Sequence, residues 1–128
     1  IQIFVSAAIR DRPVKSAHDV SEGGLAVALA ECCYSNIRRG AVGAEIRVPS
    51  QMELVKDLFG EFTTRILLST ANVAELSRRA EQSGLKACDL GSVGGDRLIL
   101  NYEGVRAVDL AISELESAWR QALPKLLS

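Results

Sequence analysis

The sequence predicts one α/β domain, a mixed β-sheet covered by helices, from three observations. Segments of helical apolar spacing alternate with short β-branched runs, a glycine-rich joint late in the chain suits a hairpin, and 128 residues is a single domain's length. An alternation interrupted by one hairpin favours a mixed sheet over a purely parallel one.

The elements follow in order. Ile1, Phe4, Val5, Ala8 and Ile9 recur at helical spacing, and Arg10-Asp11-Arg12-Pro13 forms the exit from this first helix. Val14 to Val20 reads as a short strand that enters the turn Ser21-Glu22-Gly23-Gly24, after which Leu25, Ala28, Leu29 and Cys32 mark a second helix. Ala44 to Val48 alternates as a strand before Pro49, and Met52, Leu54, Val55 and Leu58 suggest a short helix ending near Gly60. Thr63 to Thr70 is expected as a buried strand. Ala71-Asn72 is placed to cap a helix carrying Val73, Leu76, Arg79 and Ala80, with Gly84 where a helix end favours positive φ. Leu85 to Val93 and Arg97 to Tyr102 flank Gly94-Gly95-Asp96 and are expected to pair as a hairpin. Val108, Ile112, Leu115, Trp119 and Leu123 then form the apolar stripe of a last helix, which Pro124 is expected to end.

Composition limits the function classes. Hydrophobic residues make up 48% and charged residues 24%, which leaves too much apolar surface for a disordered chain. Fifteen Lys and Arg oppose sixteen Asp and Glu without forming a stripe, so neither a nucleic-acid groove nor a polybasic membrane anchor is expected. No apolar run approaches the ~20 residues of a membrane span, and a soluble protein is expected. Cys32, Cys33 and Cys88 lack metal-ligand spacing, which points away from a zinc site or disulfide scaffold and toward the cytoplasm. The stretch from Ile1 to Ile9 reads as the interior of a longer gene product, and Lys125 to Ser128 as a natural C-terminal tail.

The segment from Ser16 to Leu25 carries the most information. It places a hydroxyl, Ser21, and two glycines, Gly23 and Gly24, where a strand meets a helix whose first amides lack partners. The helix dipole adds about half a positive charge there, so phosphate or carboxylate is favoured and glycine permits close approach. A plainer alternative stands beside this: Ser21 caps the helix, and the glycines let it pack closely on the sheet through Ala26, Ala28 and Ala30. Asp19 can hold metal or orient a neighbouring loop. His18 has no partner carboxylate or nucleophile marked by spacing, so catalysis is assigned to no residue and no metal site is assigned. Gly60 to Arg65 is a second candidate, in which Arg65 is suited to bind phosphate bidentately and Glu61 to position it or hold a cation. The alternative there is an ordinary surface ion pair. Gly91 to Gly95 needs no ligand to explain it, and Cys32-Cys33 most simply packs in its helix.

The string SAHDVSEGGLAVALAE from Ser16 to Glu31, GEFTTR from Gly60 to Arg65, and Leu115-Glu116-Ser117-Ala118-Trp119 with Leu123-Pro124 together resemble one family. They look like the C-terminal end of phosphoribosylformylglycinamidine synthase, in its large or subunit II component, and the likeness covers nearly the whole chain. More loosely, the chain is similar to C-terminal domains of the aminoimidazole ribonucleotide synthase superfamily, which includes selenophosphate synthetase, thiamine-monophosphate kinase and a hydrogenase maturation protein. The resemblance implies a C-terminal domain, residues 1–128, of a multidomain enzyme that converts formylglycinamide ribonucleotide, glutamine, ATP and water to formylglycinamidine ribonucleotide, ADP, phosphate and glutamate. It implies ATP and Mg²⁺ as cofactors of the whole enzyme, with the preceding domains, a glutaminase subunit and a small subunit as partners. Most catalytic residues of that family lie in domains outside this chain, so the domain alone is expected to be inactive. By resemblance, Asp19, Ser21, Gly23 and Gly24 shape a turn facing a nucleotide or phosphate, with Glu61 and Arg65 near it. Two departures matter. The related domain of the family's first half has Glu-Ser-Gln before its arginine, whereas Phe62 and Thr63 follow Glu61 here. Family domains also begin with a strand ahead of the first helix, and the chain starts after it; the open edge this leaves could pair with another copy, giving a homo-oligomer.

Overall fold

A computed structural model describes residues 1–11 and 13–128. Its elements are α1 (Gln2–Arg10), β1 (Ser16–Asp19), α2 (Gly24–Cys33), β2 (Ala44–Arg47), α3 (Leu54–Phe59), β3 (Ile66–Ser69), α4 (Val73–Gln82), β4 (Gly91–Val93), β5 (Arg97–Tyr102), β6 (Val105–Ala111) and α5 (Ile112–Leu127). The strands form two sheets. One is the antiparallel ribbon β1-β3, and the other is mixed, in the order β4-β2-β5-β6, with β2 parallel to β5 and the other neighbours antiparallel. The α/β class and the mixed sheet agree with the sequence.

Burial follows the side-chain alternation of β2 and β5. Ala44, Ile46 and Val48 on one side of β2, with Leu98, Leu100 and Tyr102 of β5, turn inward and meet Leu25, Ala28, Leu29 and Cys33 of α2. Leu100 and Ile112 are almost wholly buried. A second, smaller core joins Ala8, Val14 and Leu76, with Phe4 and Leu68 packed on it. The ribbon lies between the two: Leu67 of β3 touches the large core and its neighbour Leu68 the small one.

Two helix ends match their local rules. The Asn72 side chain accepts the Glu75 N–H at 3.0 Å, capping α4 at its N-terminus. At the other end, the Leu85 N–H returns to the Ala80 carbonyl (2.9 Å) and the Gly84 N–H to that of Glu81 (2.9 Å), a Schellman ending with Gly84 at φ 70°.

Three expectations require correction. First, β4 and β5 do not pair with each other, because β2 lies between them. Gly43 enters the joint, donating to the Gly95 carbonyl and accepting from the Gly94 N–H, both at 2.8 Å, and this holds the two arms apart. Second, Val108 belongs to strand β6 and not to the last helix. Glu103 and Gly104 both take positive φ, 49° and 79°, which is the turn geometry that reverses the chain between β5 and β6. Third, Pro124 lies inside α5. Its missing N–H leaves the carbonyl of Arg120 without a helical donor, and Arg120 is exposed, so water can serve that group. Earlier along α5, Glu116 accepts the Ser35 N–H at 3.2 Å, bonds the Ser35 hydroxyl and pairs with Arg120 at 2.7 Å, while Trp119 packs on Tyr34 with ring centroids 5.4 Å apart. These contacts fix the last helix to the end of α2.

Candidate functional site

Pairing of β1 with β3 builds the site. Asp19 faces Ile66, and the Val20 N–H donates to the Arg65 carbonyl at 3.0 Å, so the end of β1 and the start of β3 lie side by side. The turn after β1 and the loop before β3 therefore meet. The two motifs, more than thirty residues apart in sequence, become one surface.

At that surface Gly23 is the N-cap residue of α2, with φ 78° and no side-chain cap. Ser21 thus does not cap the helix through its hydroxyl; instead its carbonyl accepts the Gly24 N–H at 3.2 Å. The Gly23 N–H donates to Glu61 Oε1 at 3.0 Å. A carboxylate of the chain itself therefore occupies one of the donors that an incoming anion would use. Gly24, φ 70°, is buried, and a Cβ there would lie 2.7 Å from the Phe59 carbonyl carbon and 2.8 Å from its Cα. The start of α2 thus packs directly on the end of α3, and only glycine permits it.

Arg65 does not pair with Glu61. Its guanidinium lies 5.0 Å from the centre of the Phe62 ring, and Nη2 donates to the Gly60 carbonyl at 3.0 Å. Its Nε is buried with no partner among the described residues. Thr64 beside it has φ 66°, an outlying backbone for a β-branched residue. Ser21, Glu22 and Glu61 are exposed, so the turn opens to solvent. Asp19 is exposed as well. On the same strand, His18 Nδ1 donates to the Asp19 carbonyl (2.7 Å) and Nε2 lies 3.1 Å from the Glu31 carboxylate, so both ring nitrogens are engaged.

The fold therefore brings Ser21, Gly23, Gly24, Glu61 and Arg65 together and sets Asp19 at their margin. Sequence reasoning missed Phe62, which supports the Arg65 guanidinium, and Asp57 with Tyr102 beneath the loop. Asp57 is buried; burial pushes its carboxyl pKa up, but hydrogen bonds from Tyr102, Gln51 and Met52, with the Arg65 charge, outweigh this and hold it below the usual carboxylate range. No local pattern marks such a residue.

Among the described residues no group of three or more His, Cys, Asp or Glu is arranged to hold a metal ion, and no helix is long and apolar enough to cross a membrane. A hollow of about 420 Å³ lies between α1 and α4, and another of about 530 Å³ is bounded by Met52, Leu54, Tyr102 and Val105; neither includes the turn. The candidate site is an open face.

Comparison with known proteins adds three findings. The family described as AIR synthase related protein, C-terminal domain, matches residues 1–103. A phosphoribosylformylglycinamidine synthase subunit PurL from an Anaeromyxobacter strain is 40% identical over 135 residues, covering 99% of this chain and 17% of that relative. Among solved structures, Thermotoga maritima PurL complexed with ATP superposes with a TM-score of 0.74 at 16% identity, and the same protein complexed with FGAR with 0.75 at 17%. Each superposition covers 89% of this chain and 20% of the other. At these identities the structural likeness shows a shared fold. The chain spans about one-sixth of the length of the curated relatives it matches.

Proposed function

We propose, from the premise that this chain belongs to the AIR synthase related protein C-terminal domain family, that residues 1–128 are the last domain of a phosphoribosylformylglycinamidine synthase. The whole enzyme would be an ATP-dependent ligase of purine biosynthesis acting in the cytoplasm, with glutamine as nitrogen donor and glutaminase and small subunits as partners. This domain does no chemistry alone. Its part is to close a nucleotide or phosphate pocket against a preceding domain.

The observation that carries this reading is the meeting of the 20–24 turn with the 60–65 loop on one exposed face, with a glycine amide already bonded to a carboxylate oxygen. An amide that donates to one oxyanion suits another. A phosphate at the turn would take the Glu61 place on the Gly23 N–H, with Ser21 and Gly24 shaping the approach and Arg65, freed from Gly60, supplying charge. Asp19 would lie at the rim. ATP would supply the phosphoryl group that activates the substrate amide, with Mg²⁺ accompanying its phosphates.

Titrating the ¹⁵N-labelled chain with ADP and Mg²⁺ should move the amide signals of Ser21 to Gly24. In the whole enzyme, Glu61→Ala and Gly23→Val should change KM for ATP or for formylglycinamide ribonucleotide. Unmoved amides together with unaltered KM values would refute the ligand reading. A second reading has its own support: the Glu61 bond to Gly23 leaves that donor satisfied, as suits a docking module that binds no ligand. That reading expects loss of stability and of subunit assembly in the same variants, with kinetics unchanged.

A further inference from the structure

Asp57 is the one charged side chain that is buried among the described residues, 5% exposed, and its hydrogen-bond partners lie outside the turn. Its carboxylate accepts the Gln51 N–H at 3.0 Å, the Met52 N–H at 3.1 Å and the Tyr102 hydroxyl at 2.7 Å. Tyr102, on the central strand β5, also accepts from the Ser50 hydroxyl at 3.2 Å. Asp57 therefore ties the 50–52 segment and α3 to the sheet. Six residues of α3 are too few to hold a helix unaided.

The candidate site begins where α3 ends. Phe59 and Gly60 form the surface on which Gly24 packs, Gly60 accepts from Arg65, and Glu61 reaches Gly23. From the buried carboxylate to the residue that bonds the turn is four positions of chain. We propose that Asp57, held by Tyr102, is a positioning residue for the Gly23–Gly24 turn, acting through α3 and Glu61. Its consequence for binding rests on the proposed nucleotide pocket. The positioning itself is measurable without ligand.

The test is amide hydrogen exchange of Gly23 in the full, ligand-free chain, followed by NMR. Tyr102→Phe keeps the ring and removes the hydroxyl. It should speed Gly23 exchange about three- to tenfold, as expected for one lost hydrogen bond, and move the Gly23 and Gly24 signals toward their positions in Glu61→Ala. The control is Val108→Ala, which trims the same core from β6, a strand that packs on β5 and α5, and should leave Gly23 at its original rate and position. Asp57→Asn should act as Tyr102→Phe does; should it fail to fold, Tyr102→Phe against the control decides. Gly23 unchanged in Tyr102→Phe, or altered equally in Val108→Ala, would overturn the proposal and reduce Asp57 to a stabilising residue. The absence of ADP-dependent shifts in the unmodified chain would instead count against the nucleotide reading alone.

Discussion

Replacing Gly24 by alanine sets a methyl group against main chain. The new Cβ would lie 2.7 and 2.8 Å from Phe59 backbone atoms and 2.9 Å from the Gly60 carbonyl oxygen, none of which can rotate aside. Holding an L-residue at φ 70° costs roughly 1–2 kcal/mol, and forcing a methyl group into filled space about 1–3 kcal/mol more. Restricting the unfolded chain returns roughly 0.4–1 kcal/mol. The net loss is about 1–5 kcal/mol. Gly84→Ala carries the same φ penalty, at φ 70°, but its methyl group would meet no atom within 4 Å. Its loss should be smaller, on the order of 0–2 kcal/mol. Urea unfolding followed by far-UV circular dichroism measures both, and with a slope of roughly 1–3 kcal/mol per molar the midpoints should separate clearly. A Gly24→Ala chain as stable as Gly84→Ala would show that α2 does not press on α3.

Three further outcomes are expected. Leu100→Ala, at a side chain 1% exposed, should lose about 2–5 kcal/mol in the same urea assay, whereas Leu126→Ala, 81% exposed, should stay within about 0.5 kcal/mol of the original; equal effects would contradict the core assignment. The carboxyls of Asp57, Glu75, Asp109 and Glu116 are all held below their ordinary values, by Tyr102 and backbone N–H groups against the opposing effect of burial for Asp57, by Arg78 for Glu75, by Arg97 for Asp109, and by Ser35 and Arg120 for Glu116. Folding therefore disfavours their protonation, so the stability they add is complete above the unfolded values near pH 4 and is lost as pH falls through the folded ones; an unfolding midpoint that holds steady from about pH 5 to pH 2 would refute this. Burial, with Cys32 adjacent, pushes the Cys33 thiol up to about 11, so a disulfide reagent near neutral pH should modify exposed Cys88 in the folded chain and reach Cys33 only on unfolding, with mass spectrometry reading the order.

Legibility of the sequence divided by distance. The Asn72 cap and the Gly84 ending depend on residues three to five positions apart, and both are readable from local rules. Strand β6 was hidden because Val108 falls in helical register with Ile112 and Leu115, and because Glu103-Gly104 lacks the asparagine or aspartate that usually marks such a turn. Insertion of β2 between β4 and β5 is set by tertiary packing, for which no short window holds a signal. The candidate site divided the same way. The unusual backbone at Gly23 was legible from its glycine pair, while the Glu61 carboxylate that bonds it comes from 38 positions away. Asp57 was invisible for another reason: a carboxylate in a short helix reads as a solvated charge until the tyrosine above it is known.

The ribbon of β1 and β3 is a partition with a leucine on each side, and the two are interchangeable in kind. A one-residue slip would exchange Leu67 and Leu68 between the cores and still leave leucine in each, so side-chain chemistry hardly specifies the alignment. Specification falls to the ends: Lys15 N–H on the Ser69 carbonyl and the Ser16–Ser69 hydroxyl pair at one, Val20 N–H on the Arg65 carbonyl at the other. Such a slip would carry Arg65 about 3.4 Å along the strand, a whole residue out of place beside the glycines. Two small clasps thus determine whether both halves of the seam stand opposite each other.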